Sequence, residues 1–147
     1  MPNNKLDLNP LIKDFTRARN KLPLQLGNQA VKFFRDNFTR EGFLDRTVTQ
    51  WAARKYTPRG GAKTILQVTG ALKRSIQRLT MSRDTVTIGT KGVRYAQIHN
   101  DGLNGRAWGK HPFKMPKHQF IGKSFTLEKQ LLRRINAEIS KFAKTQK

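Results

Sequence analysis

The chain has 147 residues, of which 30 are Lys or Arg, 9 are Asp or Glu and none is Cys. That length suits one ordinary domain with one hydrophobic core, and the absence of cysteine excludes a disulfide framework and any thiolate metal site. A formal net charge of +21 favours polyanionic or acidic partners, nucleic acid first and acidic protein surfaces second, over a self-contained neutral fold.

No run approaches the roughly 20 apolar residues that cross a bilayer, and residues 1–21 lack the apolar centre of a signal peptide, so the reading is a cytoplasmic protein with no membrane contact. The charge is unevenly spread. Between Asp45 and Asp84 there is no acid, while Arg46, Arg54, Lys55, Arg59, Lys63, Lys73, Arg74, Arg78 and Arg83 all fall there. A basic surface kept only for solubility is the plain alternative.

In chain order, residues 1–22 read as a flexible or helical arm. Asn9-Pro10 offers a cap and a first-turn proline ahead of Leu11, Ile12 and Phe15, which predicts a short helix. Pro23 then opens a stronger helix over 23–39, where Leu26, Ala30, Phe33, Phe34 and Phe38 form one apolar stripe. Gly42 stops it. Residues 40–64 read as an irregular basic connection carrying Phe43, Trp51 and Tyr56, with Pro58-Arg59-Gly60-Gly61 as a loop signal. Trp51 is assigned to core packing in preference to stacking on a base.

Thr69 is read as the N-cap of a short helix reaching about Gln77, after Ile65-Leu66-Gln67-Val68. Residues 78–82 and 85–89 are β-branched or apolar runs joined by Arg83-Asp84, which predicts a hairpin. The run Tyr95–His99 follows, ended by Asn100-Asp101-Gly102. Residues 103–114, rich in Gly, Lys and His, predict a flexible surface loop rimmed by Arg106, Lys110 and Lys114. Met115-Pro116 leads to a short strand at Gln119-Phe120-Ile121. Ser124 or Thr126 caps a last helix, whose Leu131, Leu132, Ile135, Ile139 and Phe142 make a stripe through about Ala143. The class is therefore α+β: N-terminal helices, a small antiparallel sheet with a central hairpin, and a long amphipathic C-terminal helix.

Catalytic material is thin. His99, His111 and His118 with Asp101 are the candidates for a base or a metal-dependent nuclease site, but their spacing fits no helix-based ligand pair, and carboxylates are too sparse for an acid/base couple. Gly60-Gly61-Ala62-Lys63-Thr64 ends in Lys-Thr yet lacks the earlier glycine of a phosphate-binding loop. No enzyme activity, cofactor or metal is expected.

Four segments in order carry a resemblance: Phe38 to Gly42 to Trp51; Lys63 through Gly70-Ala71-Leu72 to Ile76; Val86–Gly89 with Tyr95 through Ile98 to Gly102; and Met115-Pro116 to Phe120 through Ser124. Together they resemble the phage virion-morphogenesis family, which includes tail-completion proteins and, more distantly, neck proteins of long-tailed phages. The resemblance spans roughly residues 25–140. It implies a structural part that finishes or joins the tail at its head-proximal end, as copies arranged around the tail axis, beside other tail, tail-terminator or connector proteins. Lys117-His118-Gln119 departs from the family, which usually places an Arg and a second Pro there, and 103–114 is longer than common. Within the motifs, Gly70 and Gly102 are assigned to backbone geometry, and Trp51, Leu72, Tyr95, Ile98, Pro116 and Phe120 to structure. Arg54, Lys55, Arg59, Lys63, Arg106, Lys110 and Lys114 are the expected contact surface, facing acidic neighbours or DNA in the tail lumen. A free-standing basic nucleic-acid-binding protein is the rival reading.

Overall fold

A computed structural model describes residues 7–55, 59–61 and 64–145. The elements run α1 (Asn9–Arg40), β1 (Gly42–Leu44), β2 (Val48–Gln50), α2 (Ala71–Ser75), β3 (Ile76–Met81), β4 (Val86–Thr90), α3 (Ala96–Asp101), β5 (Asn104–Ala107), β6 (His111–Lys114) and α4 (Phe125–Thr145). The class is α+β, as the patterning predicts.

The two predicted N-terminal helices are one helix of 32 residues, with Pro23 inside it. A proline within a helix removes one backbone hydrogen bond and crowds the carbonyl four residues earlier. Here the flanking turns pack on α4, where Phe15 and Phe142 meet edge to face with ring centroids 5.5 Å apart, and helix continues through the gap. At its other end Glu41 adopts the left-handed conformation (φ 50) and donates its N–H to the carbonyls of Asn37 and Phe38. That turn ends α1 and feeds β1 directly.

Among the described residues, strands occur as three separate antiparallel ladders, β1–β2, β3–β4 and β5–β6. The central one is the predicted hairpin, with Ile76 opposite Thr90 and Met81 opposite Val86, and its register shifts between Arg78 and Thr80. Two others correct the sequence reading. The connection over 40–64 contains the β1–β2 hairpin, in which Phe43 faces Thr49. The loop expected over 103–114 is the β5–β6 hairpin, with Gly105 opposite Phe113 and Ala107 opposite His111. Residues 119–121, in contrast, form no strand. Their polar groups are taken by side chains: Asn100 Oδ1 accepts the N–H groups of Phe120 (3.0 Å) and Ile121 (2.9 Å). Tyr56, Pro58 of the loop signal, and Ala62-Lys63 of the Gly60–Thr64 stretch lie outside the described residues.

The buried apolar residues form one cluster: Ala30, Phe33, Phe34, Phe38, Phe43, Trp51, Leu72, Ile76, Ala96, Phe120 and Leu127. Phe38 sits at its centre, 5.3 Å from both the Trp51 and Phe120 rings. Burying an aromatic of this size contributes about 2–3 kcal/mol by area alone, so the α1 stripe is what gathers the β1–β2 and β3–β4 hairpins and the 115–124 segment around one point. Ser124 is the cap of α4: its Oγ accepts the Leu127 N–H (3.2 Å) and donates to the Leu44 carbonyl (2.8 Å). Thr126 instead bonds back to the Asp45 carbonyl. No helix among the described residues is long and apolar enough to cross a membrane.

Candidate docking surface

The core just described holds a row of rings that leads outward. Phe38 meets Trp51 edge-on, Trp51 meets His118 (5.9 Å), His118 meets His99 (5.9 Å), and His99 meets Tyr95 (5.7 Å). Trp51 is fixed by its indole N–H, which donates to the Gln119 carbonyl at 2.8 Å. This agrees with its assignment to packing. His118 is buried, and its Nε2 faces the Ala52 carbonyl at 3.4 Å; its backbone N–H donates to the His99 carbonyl at 2.8 Å. Burial lowers the pKa of both imidazoles, and for His99 the neighbouring His118 lowers it further. Two neutral rings in contact are the consequence. His111 stands apart on β6, exposed. Among the described residues no three His, Asp or Glu side chains converge as a metal-ligand set.

Of the motif residues, Leu72 and Phe120 are buried, and Ile98 is half-buried. Tyr95 corrects the packing assignment: it is 45% exposed and touches the row only through His99. Pro116 is exposed at the surface end of the same region. Gly70 precedes α2 with φ 70, and Gly102 ends α3 with φ 67. A Cβ on Gly102 would stand 2.8 Å from the Cβ and 3.0 Å from the Cα of Lys117. That glycine lets the α3 turn pass against the 115–118 backbone.

The basic residues divide. Arg54 is half-buried, with Nη2 donating to the Thr64 carbonyl at 3.0 Å, so it serves partly to tie the 51–55 stretch to 64–66. Lys55, Arg59, Arg106, Lys110 and Lys114 are exposed. Lys63 lies outside the described residues. Among the described residues the ion pairs are Arg19–Asp84, Lys32–Asp36 and Lys141–Glu138, none of which uses these cations. The fold brings Arg54, Lys55 and Lys114 to one cavity of about 640 Å³, with Ile65, Leu66, Phe113, Met115 and Pro116 as its apolar walls and His99 and His118 behind. Hairpin β5–β6 forms one side of that cavity and carries Arg106 and Lys110 away from it.

The most exposed large apolar side chain on this hairpin is one that sequence reasoning missed. Trp108 is 92% exposed, in the left-handed region (φ 58), in the turn between β5 and β6. A signal was present: Trp108 sits in the stretch from Gly102 to Leu127 that contains no acid, next to Gly109 and Lys110 and without apolar neighbours at strand or helix spacing. An indole in such a setting has no local core to join.

In comparison with known proteins, residues 4–140 match the model of the phage virion morphogenesis family. No curated protein and no solved structure matches the chain.

Proposed function

Because the chain belongs to the phage virion morphogenesis family, and so has a structural part in building phage particles, we propose that it completes the tail or joins it to the head at the neck. In this reading residues 1–147 work as one domain, without catalysis or cofactor. Copies form a ring about the tail axis, beside tail, tail-terminator or connector proteins, and the place of action is the virion after assembly in the host bacterial cytoplasm. The supporting observation is the set of exposed cations Lys55, Arg59, Arg106, Lys110 and Lys114, which no acid of the described residues pairs.

Unpaired cations on a chain of this charge attract acidic surfaces and speed encounter with them. Lys63 belongs to the same proposed surface by sequence. Docking to neighbouring proteins is favoured over a tight grip on DNA, because a polyanion that must pass along the tail lumen cannot be trapped there. Contact with that DNA is then weak and nonspecific.

Particles produced without this protein test the reading. Unfinished tails, or tails separate from heads, are the expected image, and mass measurement of the purified protein by size-exclusion chromatography reads its copy number. Normal joined tails in its absence would overturn the assignment. A free-standing nucleic-acid-binding protein would instead shift duplex DNA at physiological salt with a steep salt slope.

A further inference from the structure

We propose that the β5–β6 hairpin and the cavity at its base are one docking surface for an acidic, apolar-faced segment of a neighbouring virion protein, with Trp108 as the anchor buried in that partner. This rests on the reading above and adds to it the residue that holds the contact.

Three observations converge on it. First, Trp108 is 92% exposed at the tip of a hairpin, where an indole with no partner leaves a large apolar area in water. Trp is among the residue types that dominate protein interfaces when buried at their centre. Second, the apolar surface continues from the tip downward: Phe113 on β6 is itself 37% exposed and forms part of the cavity wall with Ile65, Leu66, Met115 and Pro116. Third, the rim is cationic throughout, with Arg106 and Lys110 beside the tip and Lys55 and Lys114 beside the cavity, and no acid lies between Asp101 and Glu128 to neutralise them.

The combination selects the partner's chemistry. Phosphate would satisfy the cations, and a base would stack on one indole, but neither covers Phe113 and the aliphatic walls of the cavity. The same cationic face of a second copy would meet it with like charge, so contacts between copies in the ring fall on other faces. A protein segment with acidic residues around apolar ones meets both demands, its apolar side chains entering the cavity and a pocket of its own receiving Trp108.

The test supplies particles lacking the protein with wild-type, Trp108→Ala or Trp108→Phe chains, each first checked for unchanged thermal unfolding, and weighs the amount retained in purified particles. Retention should fall about tenfold or more for Trp108→Ala and be partly restored for Trp108→Phe, as for an interface anchor. Wild-type retention of Trp108→Ala overturns the inference alone. Absence of the wild-type protein itself from particles overturns the virion reading beneath it. Titration of the purified protein with a 30-nucleotide single strand supplies the other arm: strong indole quenching in the wild type that Trp108→Phe abolishes, with Trp51 as the internal control, would assign the tip to nucleic acid and overturn the protein partner.

Discussion

Asn37 donates its side-chain N–H to the Phe120 carbonyl at 3.1 Å, and both residues are almost fully removed from solvent. The Oδ1 of the same amide accepts the Leu44 N–H at 3.2 Å and an Arg40 N–H at 3.3 Å. One side chain on α1 thus holds β1 and the 115–124 segment at the centre of the core. Replacing it by Leu, of similar size, leaves the Leu44 N–H and the Phe120 carbonyl without partners. Asn37→Leu should destabilise the protein by about 2–4 kcal/mol, read as a lower urea midpoint with an unchanged slope.

Two glycines with nearly equal φ should respond differently to Ala. A methyl group added at Gly109 (φ 72) would meet nothing within 4 Å, so Gly109→Ala carries only the backbone penalty, about 1 kcal/mol. Gly102 (φ 67) adds the clash with Lys117, and Gly102→Ala should cost about 2–3 kcal/mol. Thermal unfolding of the two variants side by side checks the difference, and equal shifts would contradict the close approach described for Gly102.

Stability should fall as the solution is acidified from neutral. Burial lowers the pKa of His99 and His118 in the folded chain, so below the ordinary imidazole range the unfolded chain binds protons that the folded one refuses. The loss begins near the unfolded value and continues down to the folded ones. His118→Phe removes one of these groups and relieves the other of its neighbour's charge. The melting temperature of this variant should therefore drop less between about pH 7.5 and 5.5 than that of the wild type.

Reversing charge at the hairpin separates docking from folding. Arg106 and Lys110 are exposed and outside the ion pairs of the described residues. Arg106→Glu with Lys110→Glu should leave stability within about 0.5 kcal/mol. It should nevertheless weaken retention of the protein in particles, and it should lower the slope of the weak duplex binding against salt by about two. Retention equal to wild type would remove these two residues from the contact surface.

How much of this was legible in the sequence follows from how each element is stabilised. The stripe Ala30, Phe33, Phe34 and Phe38, the α4 residues Leu131, Ile135 and Phe142, a cap at Ser124 or Thr126 and the β3–β4 hairpin all write their periodicity or turn chemistry into adjacent residues, whereas Leu132 and Ile139, read into the α4 stripe, stay exposed. Strands β1 and β2, three residues each, are too short for alternation to register, and they form because Glu41 turns the chain and its carbonyl accepts the Trp51 N–H at 2.8 Å. Residues 119–121 have a strand's composition, yet Asn37, Trp51 and Asn100 occupy their backbone groups from distant positions. Pro23 reads locally as a helix start, and packing of α1 on α4 and on the β3–β4 hairpin carries the helix through it. At the candidate surface the cations were legible, and the Arg54–Thr64 tie, the exposure of Tyr95 and the anchor Trp108 required the folded chain.

Every ladder among the described residues pairs strands that are nearest neighbours along the chain. Each hairpin can therefore zip from its own turn without waiting for distant segments, while the packing of β3–β4, residues 115–124 and α4 on the first helix demands the long searches. A newly made chain can thus acquire most of its β structure quickly, leaving for later the packing of distant elements on the first helix, in which the aromatic centre locks.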